Sequence, residues 1–210
     1  MSNPWDVPPW PTRGDEDAER THAGIGGVVS VWSIIENELA RLYTVYVDRY
    51  DDLSAQLEFG DEPYFRKRYL KLEDAAARYF MRKPHQAAEG YLSRISDLLS
   101  GFSARRNEIA HGIVSRVEQM GYFRDHLDPE VRGRPNYMVL PPFHVRKNHS
   151  PEHGGPTYAY NYQNMFEIRQ DLFTIAVHIH DYLNTLLPPE QRDDYATGIL
   201  AEQSSPQRGK

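Results

Sequence analysis

The 210-residue chain contains no cysteine. That excludes disulfides, thiolate metal sites and a cysteine nucleophile, and it fits a reducing compartment. A long apolar run is missing too. The longest uncharged apolar stretch, Ala23 to Ile35, is too short and too glycine-rich to span a bilayer. The N-terminus is rich in Pro, Trp and Asp and lacks the basic-then-apolar order of a signal peptide, so a cytoplasmic protein without membrane contact is expected. Nor is there an excess of positive charge: Lys+Arg of 24 against Asp+Glu of 30 gives −6 and a pI near 5.8. Such a balance argues against a protein that works mainly by coating nucleic acid, and no DNA partner is expected.

What is present is ordinary for a globular chain: 40% hydrophobic and 26% charged residues. At this length a chain can bury on the order of 70% of its unfolded surface, enough for a core without staples. The charges are unevenly spread. Asp48 to Glu62 holds six acids and one arginine, while Arg66 to Lys83 holds seven bases against Glu73 and Asp74. Two solvated helix faces are the plain account of these runs; a local basic surface is the alternative.

Residues 1–20 carry Pro4, Pro8, Pro9 and Pro11 and then an acidic cluster, the composition of a flexible arm. Pro188-Pro189 closes the body, and 188–210 reads as a disordered polar tail. The ordered domain is therefore expected over 21–187. Within it, four segments show apolar residues at steps of three and four. They run from Ile25 to Tyr46, from Phe65 to Tyr79 with Pro84 as terminator, from Leu92 through Phe102 and Ile109 to Ile113, and from Met165 to Leu186. The fold class implied is all-α, an antiparallel four-helix bundle. Residues 114–161 differ in character. Tyr137 to Leu140 and Thr157 to Tyr160 are β-type runs, with Ile113 to Val117 as a third candidate, so a small β-hairpin or sheet is expected between the third and fourth helices. A mobile loop is expected from Val145 to Pro156.

One residue breaks the helical pattern. The third stripe puts Arg106 at a seam position between Phe102 and Ile109, where a permanently charged guanidinium needs an acid, carbonyls or an anion. Asn107 stands beside it, and His111 lies one turn further on the same face as Asn107, with Gly112 placed for a C′ position. Bland accounts exist: Arg106 paired with Glu36 or Glu38, and His111 favoured by the helix dipole.

The full string Arg105-Arg106-Asn107-Glu108-Ile109-Ala110-His111-Gly112 closely resembles the R-N-x-x-x-H signature of the HEPN superfamily. The match falls on Arg106, Asn107 and His111. The resemblance implies a compact helical bundle, often dimeric, and in many members a metal-independent RNase of toxin, antiviral or RNA-processing systems. A tyrosine often found two residues after the histidine in antitoxin-paired members is Ile113 here, which argues against regulation by modification at that point.

Under that resemblance the RNA supplies its own nucleophile, the 2′-hydroxyl. His111 serves as general base or acid, since histidine exchanges protons near neutral pH. Arg106 holds the scissile phosphate and stabilises its added charge, and Asn107 orients His111 or bonds the phosphate. The products are a 2′,3′-cyclic phosphate and a 5′-hydroxyl. On an ideal helix Arg106 and His111 point about 140° apart and are separated by about 7.5 Å along the axis. One copy converges poorly, so a homodimer with the third helix near the interface is expected. The alternative is a catalytically inactive HEPN-like module that binds RNA, a nucleotide or a protein partner, with the motif structural.

Other candidates are weaker. Gly24-Ile25-Gly26-Gly27 lacks the third glycine of a dinucleotide fingerprint and a preceding strand, and reads as a site of close helix packing. His144, His149 and His153 read as a solvated histidine-rich loop, although His149 and His153 have a ligand-like spacing. His178 and His180 point apart and cannot share a metal. Tyr158, Tyr160 and Tyr162 alternate, as on a packed hairpin face or a base-stacking edge. No cofactor and no metal are expected.

Overall fold

Asp17 starts the first helix by accepting the backbone N–H of Arg20 at 2.7 Å, the N-cap bond that short acidic side chains supply. In this computed structural model, which describes residues 3–50, 52–150 and 155–192, the elements follow in the order α1 (Ala18–Tyr46), α2 (Leu53–Gly60), α3 (Phe65–Arg82), α4 (Gln86–Ala110), β1 (Ile113–Arg116), α5 (Gly121–Arg124), β2 (Tyr137–Leu140) and α6 (Tyr162–Leu186). The protein is mostly helical with one small two-stranded antiparallel sheet. No helix among the described residues is long and apolar enough to cross a membrane. The chain divides into two compact units, residues 1–33 with 97–173 and residues 34–96 with 174–210.

The first unit carries the sheet. β1 and β2 pair antiparallel, with Ile113 opposite Leu140 and Arg116 opposite Tyr137. Val117, Phe123, Leu127, Met138, Leu140 and Ala159 form a buried cluster under it, with Trp10, Met120 and Val131 packed against its edge. Of the three expected β runs, two are strands. The third contributes a single bridge, Tyr160 to Val139, before Asn161 caps α6 by accepting from the N–H of Asn164 at 2.9 Å. Ile113 belongs to β1, so the helix ends earlier than the apolar stripe, at Ala110.

The segment expected as a free arm enters the fold well before residue 20. Trp10 packs on Phe123 at 4.8 Å between ring centroids, and Arg13 bonds Asp128 and Glu130. Asp15 is buried and bridges Tyr137, while its carboxylate accepts from the Thr21 hydroxyl at 2.8 Å and the Tyr162 N–H at 2.9 Å. Burial pushes its carboxyl above the ordinary range, against the pull of those bonds. Of the tail expected over 188–210, residues 188–192 are described and 189–191 form a 3-10 turn; the remainder lies outside the described residues.

In the second unit the two charge runs meet. Asp48 pairs with Arg82 and Lys83, Glu58 with Lys71 and Arg49, and Glu36 with Arg68. The acidic and basic runs thus meet at Asp48 and Glu58, which engage Arg82, Lys83 and Lys71, while Arg66 and Lys67 are exposed without an ion pair among the described residues. A tyrosine chain fixes the same unit from inside: Tyr46 and Tyr182 share a hydrogen bond of 2.9 Å, and Tyr182 donates to the Ala88 carbonyl. The helix α2 was not expected; Asp52 caps it through the Ser54 N–H, and Ala55 and Phe59 are its buried positions.

Two glycines show where backbones approach closely. A Cβ on Gly112 would stand 2.3 Å from Val139 Cγ1, 2.8 Å from the Glu108 carbonyl oxygen and 3.1 Å from that of Leu140. Gly112 therefore seats the end of α4 on β2 by lacking a side chain. Gly112 stands at the C′ position expected for it, two residues past the end of α4, with a φ that is not positive. Gly112→Ala is expected to lower stability by about 2 kcal/mol, the cost of forcing atoms into a filled site. Gly26, with nothing within 4 Å of its Cβ position, is the control: Gly26→Ala is expected to raise stability by about 0.5–1 kcal/mol, as for an exposed helical glycine. Urea unfolding of both variants reads these values.

Candidate functional site

The last two turns of α4 carry the motif. Phe102, Arg105 and Ile109 are its buried positions here, so the seam passes through Arg105 and not, as the stripe suggested, through Arg106. Arg105 is 8% exposed and donates from Nη1 to Glu108 Oε2 at 3.0 Å, with the Tyr160 hydroxyl at 3.4 Å. Its Nε is buried without a hydrogen-bond partner.

Arg106 is half-buried. Its Nη1 donates to Asn107 Oδ1 at 3.0 Å, while its Nε too is buried and unpartnered. The acids considered for it are engaged elsewhere: Glu36 accepts from Arg68, and Glu38 from Arg41 and His180. Asn107 is exposed and its carbonyl accepts from the N–H of His111 at 3.1 Å, which continues the helical pattern and keeps both residues on one face. His111 is exposed, and its imidazole makes no hydrogen bond among the described residues. Arg106 and Asn107 are thus brought together, whereas His111 is one turn away with its ring free for another molecule. With about 100° of turn per residue, Arg106 and His111 diverge within one copy.

Glu108 holds this helix end in place. Its carboxylate accepts from the Tyr160 hydroxyl at 2.5 Å and from Arg105, and its backbone carbonyl accepts from the Tyr158 hydroxyl at 3.2 Å. Tyr158 and Tyr160 are buried, with ring centroids 5.5 Å apart, so they pack rather than offer a stacking edge. Tyr162 opens α6, under the guanidinium of Arg20. Burial raises the Glu108 carboxyl above its usual range, opposed by the Tyr160 and Arg105 bonds. Burial and the proximity of Glu108 push the Tyr158 phenol up to about 12, and that of Tyr160 rises as well.

The remaining histidines have ordinary partners. His149 stacks on Phe143 and lies 3.4 Å from the Pro142 carbonyl, His144 is exposed, and His153 falls outside the described residues. His178 meets the Tyr91 hydroxyl at 3.2 Å and His180 meets Glu38 at 3.1 Å and Asn184 at 3.0 Å. No group of three or more His, Cys, Asp or Glu among the described residues is placed to hold a metal ion. Gly24 and Gly27 lie against Met165 and Arg169, which is the close packing expected of that glycine cluster.

Sequence reasoning missed Arg105, Glu108 and Tyr160 as one cluster. Two of the three lie inside the motif string, and the alternation of Tyr158 and Tyr160 was the visible sign of the third. Comparison with protein-family models, with curated proteins and with solved structures returns no match.

Tyr160→Phe is expected to lower stability by about 1–2 kcal/mol, the cost of one lost buried hydrogen bond to a charged group. Tyr162→Phe, whose hydroxyl has no partner among the described residues, is expected to be neutral. The pH dependence follows from the raised Glu108 carboxyl. Its contribution is full below the unfolded pKa and is lost as pH rises through the folded one. The stability of wild type relative to Glu108→Gln is therefore expected to be greatest in acid and to shrink as pH rises, read from urea midpoints between about pH 3 and 7.

Proposed function

We propose that the protein is a metal-independent endoribonuclease of HEPN type, with α1, α3, α4 and α6 as the helices of a HEPN-like bundle and Arg106, Asn107 and His111 as its catalytic residues. The observation that carries this reading is the placement of the motif: on the last turns of α4, with Asn107 and His111 exposed and the His111 ring unengaged. Glu36 and Glu38 have other partners, which weakens the account in which Arg106 is a core ion pair.

The chemistry balances without an added reagent. The 2′-oxygen attacks phosphorus while one imidazole takes its proton, the P–O5′ bond breaks, and a second imidazole protonates the departing 5′-oxygen. Arg106 neutralises charge as it builds on the phosphate. Because Arg106 and His111 diverge in one copy, two copies related by a two-fold axis supply the two imidazoles, and the working unit is a homodimer. The second reading, a catalytically silent module that binds RNA, a nucleotide or a protein, draws on the Arg106–Asn107 bond, which satisfies part of the motif internally.

The test is cleavage of a varied set of RNAs in EDTA. His111→Ala and Arg106→Ala are expected to lose 100- to 10,000-fold in rate, about the worth of one acid–base group or one charge-stabilising donor. Both variants are expected to melt within a few degrees of wild type, since neither side chain is fully buried. Equal cleavage by wild type and His111→Ala contradicts the assignment, and absence of cleavage across all the RNAs favours the binding module.

A further inference from the structure

The chain leaving β2 carries exposed groups that the motif chemistry does not use. Phe143 is 54% exposed. Its ring lies within 19° of parallel to that of His149, at 6.3 Å between centroids, and His149 is in turn seated at the Pro142 carbonyl. Backbone bonds fix this pair from behind. The Ser150 N–H donates to the Gly155 carbonyl at 2.8 Å, the Thr157 N–H to the Asn148 carbonyl at 3.0 Å, and His149 bridges Pro156. The part of the expected mobile loop described here is therefore tied down at both ends.

Between Phe143 and His149 in the chain, the turn Arg146–Asn148 presents Arg146 and Lys147 to solvent. Neither has an ion-pair or hydrogen-bond partner for its side chain among the described residues, and residues 141–150 contain no Asp or Glu. His144 is exposed alongside. The location is set by the sheet. Leu140 pairs with Ile113, two residues after His111, and Phe143 follows Leu140 by three. At the reach of an extended chain, with one cross-strand step, Phe143 lies within about 24 Å of His111 along the backbone, the span of a few nucleotides.

We propose that residues 143–149 are a single-stranded RNA contact surface serving the motif: a base stacks on the open face of Phe143, and Arg146 and Lys147 meet the adjoining phosphates. This deepens the nuclease reading and rests on it for the identity of the ligand. An aromatic face accepts any base, so the contact selects unpaired strand over sequence. A-form duplex keeps its bases stacked inside and offers Phe143 nothing to receive. The positive charge is local, which reconciles an RNA ligand with a chain of net charge −6.

The experiment is fluorescence anisotropy of the full chain with a short unstructured 2′-O-methyl oligoribonucleotide, which lacks the attacking hydroxyl and so reports binding without cleavage. Wild type is expected to bind, with the matching duplex competing poorly. Phe143→Ala is expected to weaken binding about tenfold, the loss of one stacked base. Arg146→Ala with Lys147→Ala is expected to reduce the slope of log affinity against log salt by about 1.4, or 0.7 for each phosphate contact removed. Circular dichroism and melting confirm that both variants fold. No binding by wild type, or wild-type affinity and slope in both variants, overturns the proposal. Binding that depends on these residues in a protein that cuts no RNA supports the surface and removes the nuclease. Cleavage lost in His111→Ala, together with unaltered binding in the loop variants, does the reverse.

Discussion

The hydrogen bonds at Glu108 are the constraint on which the arrangement of the motif depends. One residue receives Tyr158 on its backbone and Tyr160 and Arg105 on its side chain, and four residues later Gly112 lies so close to β2 that no Cβ fits. A helix end with several unsatisfied carbonyls would otherwise fray. Pinned in this way, the final turns of α4 keep Arg106, Asn107 and His111 in a fixed relation while leaving His111 in water. The charged pair beneath is a costly device: a partly buried carboxylate and a buried guanidinium must compensate each other's lost hydration. What it provides is position, since the two tyrosines reach Glu108 from 50 and 52 residues away.

The insertion between α4 and α6 therefore does more than connect them. It supplies the strand against which Gly112 rests, the tyrosines that hold Glu108, and the loop that sets Phe143, Arg146 and Lys147 beyond Leu140. Asp15 ties the same region to the N-terminal segment through Tyr137, Thr21 and Tyr162. In the second unit the charge runs serve a different end, closing ion pairs between α3 and the segments around Asp48 and Glu58. Each of these exposed pairs is worth little alone, on the order of 0–1 kcal/mol. They engage Lys71, Arg82 and Lys83 of the basic run, while Arg66 and Lys67 on α3, like Arg146 and Lys147 in the insertion, are exposed without an ion pair among the described residues.

Much of this was legible in the sequence. The stripes of α1, α3, α4 and α6 repeat every three or four residues because one face of each is buried, and Pro84 stops α3 as expected. The β character of Tyr137 to Leu140 was equally plain. The helix α2 escaped because it has only two buried positions, Ala55 and Phe59, while Leu53 and Leu57 are exposed, so no apolar stripe marks it. Its Asp52 cap was a readable sign. The end of α4 was misjudged for a physical reason: Ile113 fits the helical period, but the close approach at Gly112 turns it into a strand partner of Leu140. Arg105 and Arg106 differ by one step of 100°, and a period alone cannot decide which faces inward when both carry the same charge. The bond from Tyr160 to Glu108 joins residues far apart in the chain, and no local pattern encodes it.

The chemistry claimed for the motif leaves a signature on its product. The most direct measurement is the end group on RNA cut by the wild-type protein in EDTA, read by mass spectrometry. Attack by the 2′-hydroxyl, with His111 moving the proton, predicts a 2′,3′-cyclic phosphate on one fragment and a 5′-hydroxyl on the other. Fragments ending in a 3′-hydroxyl and a 5′-phosphate, which require water as the nucleophile, would contradict it.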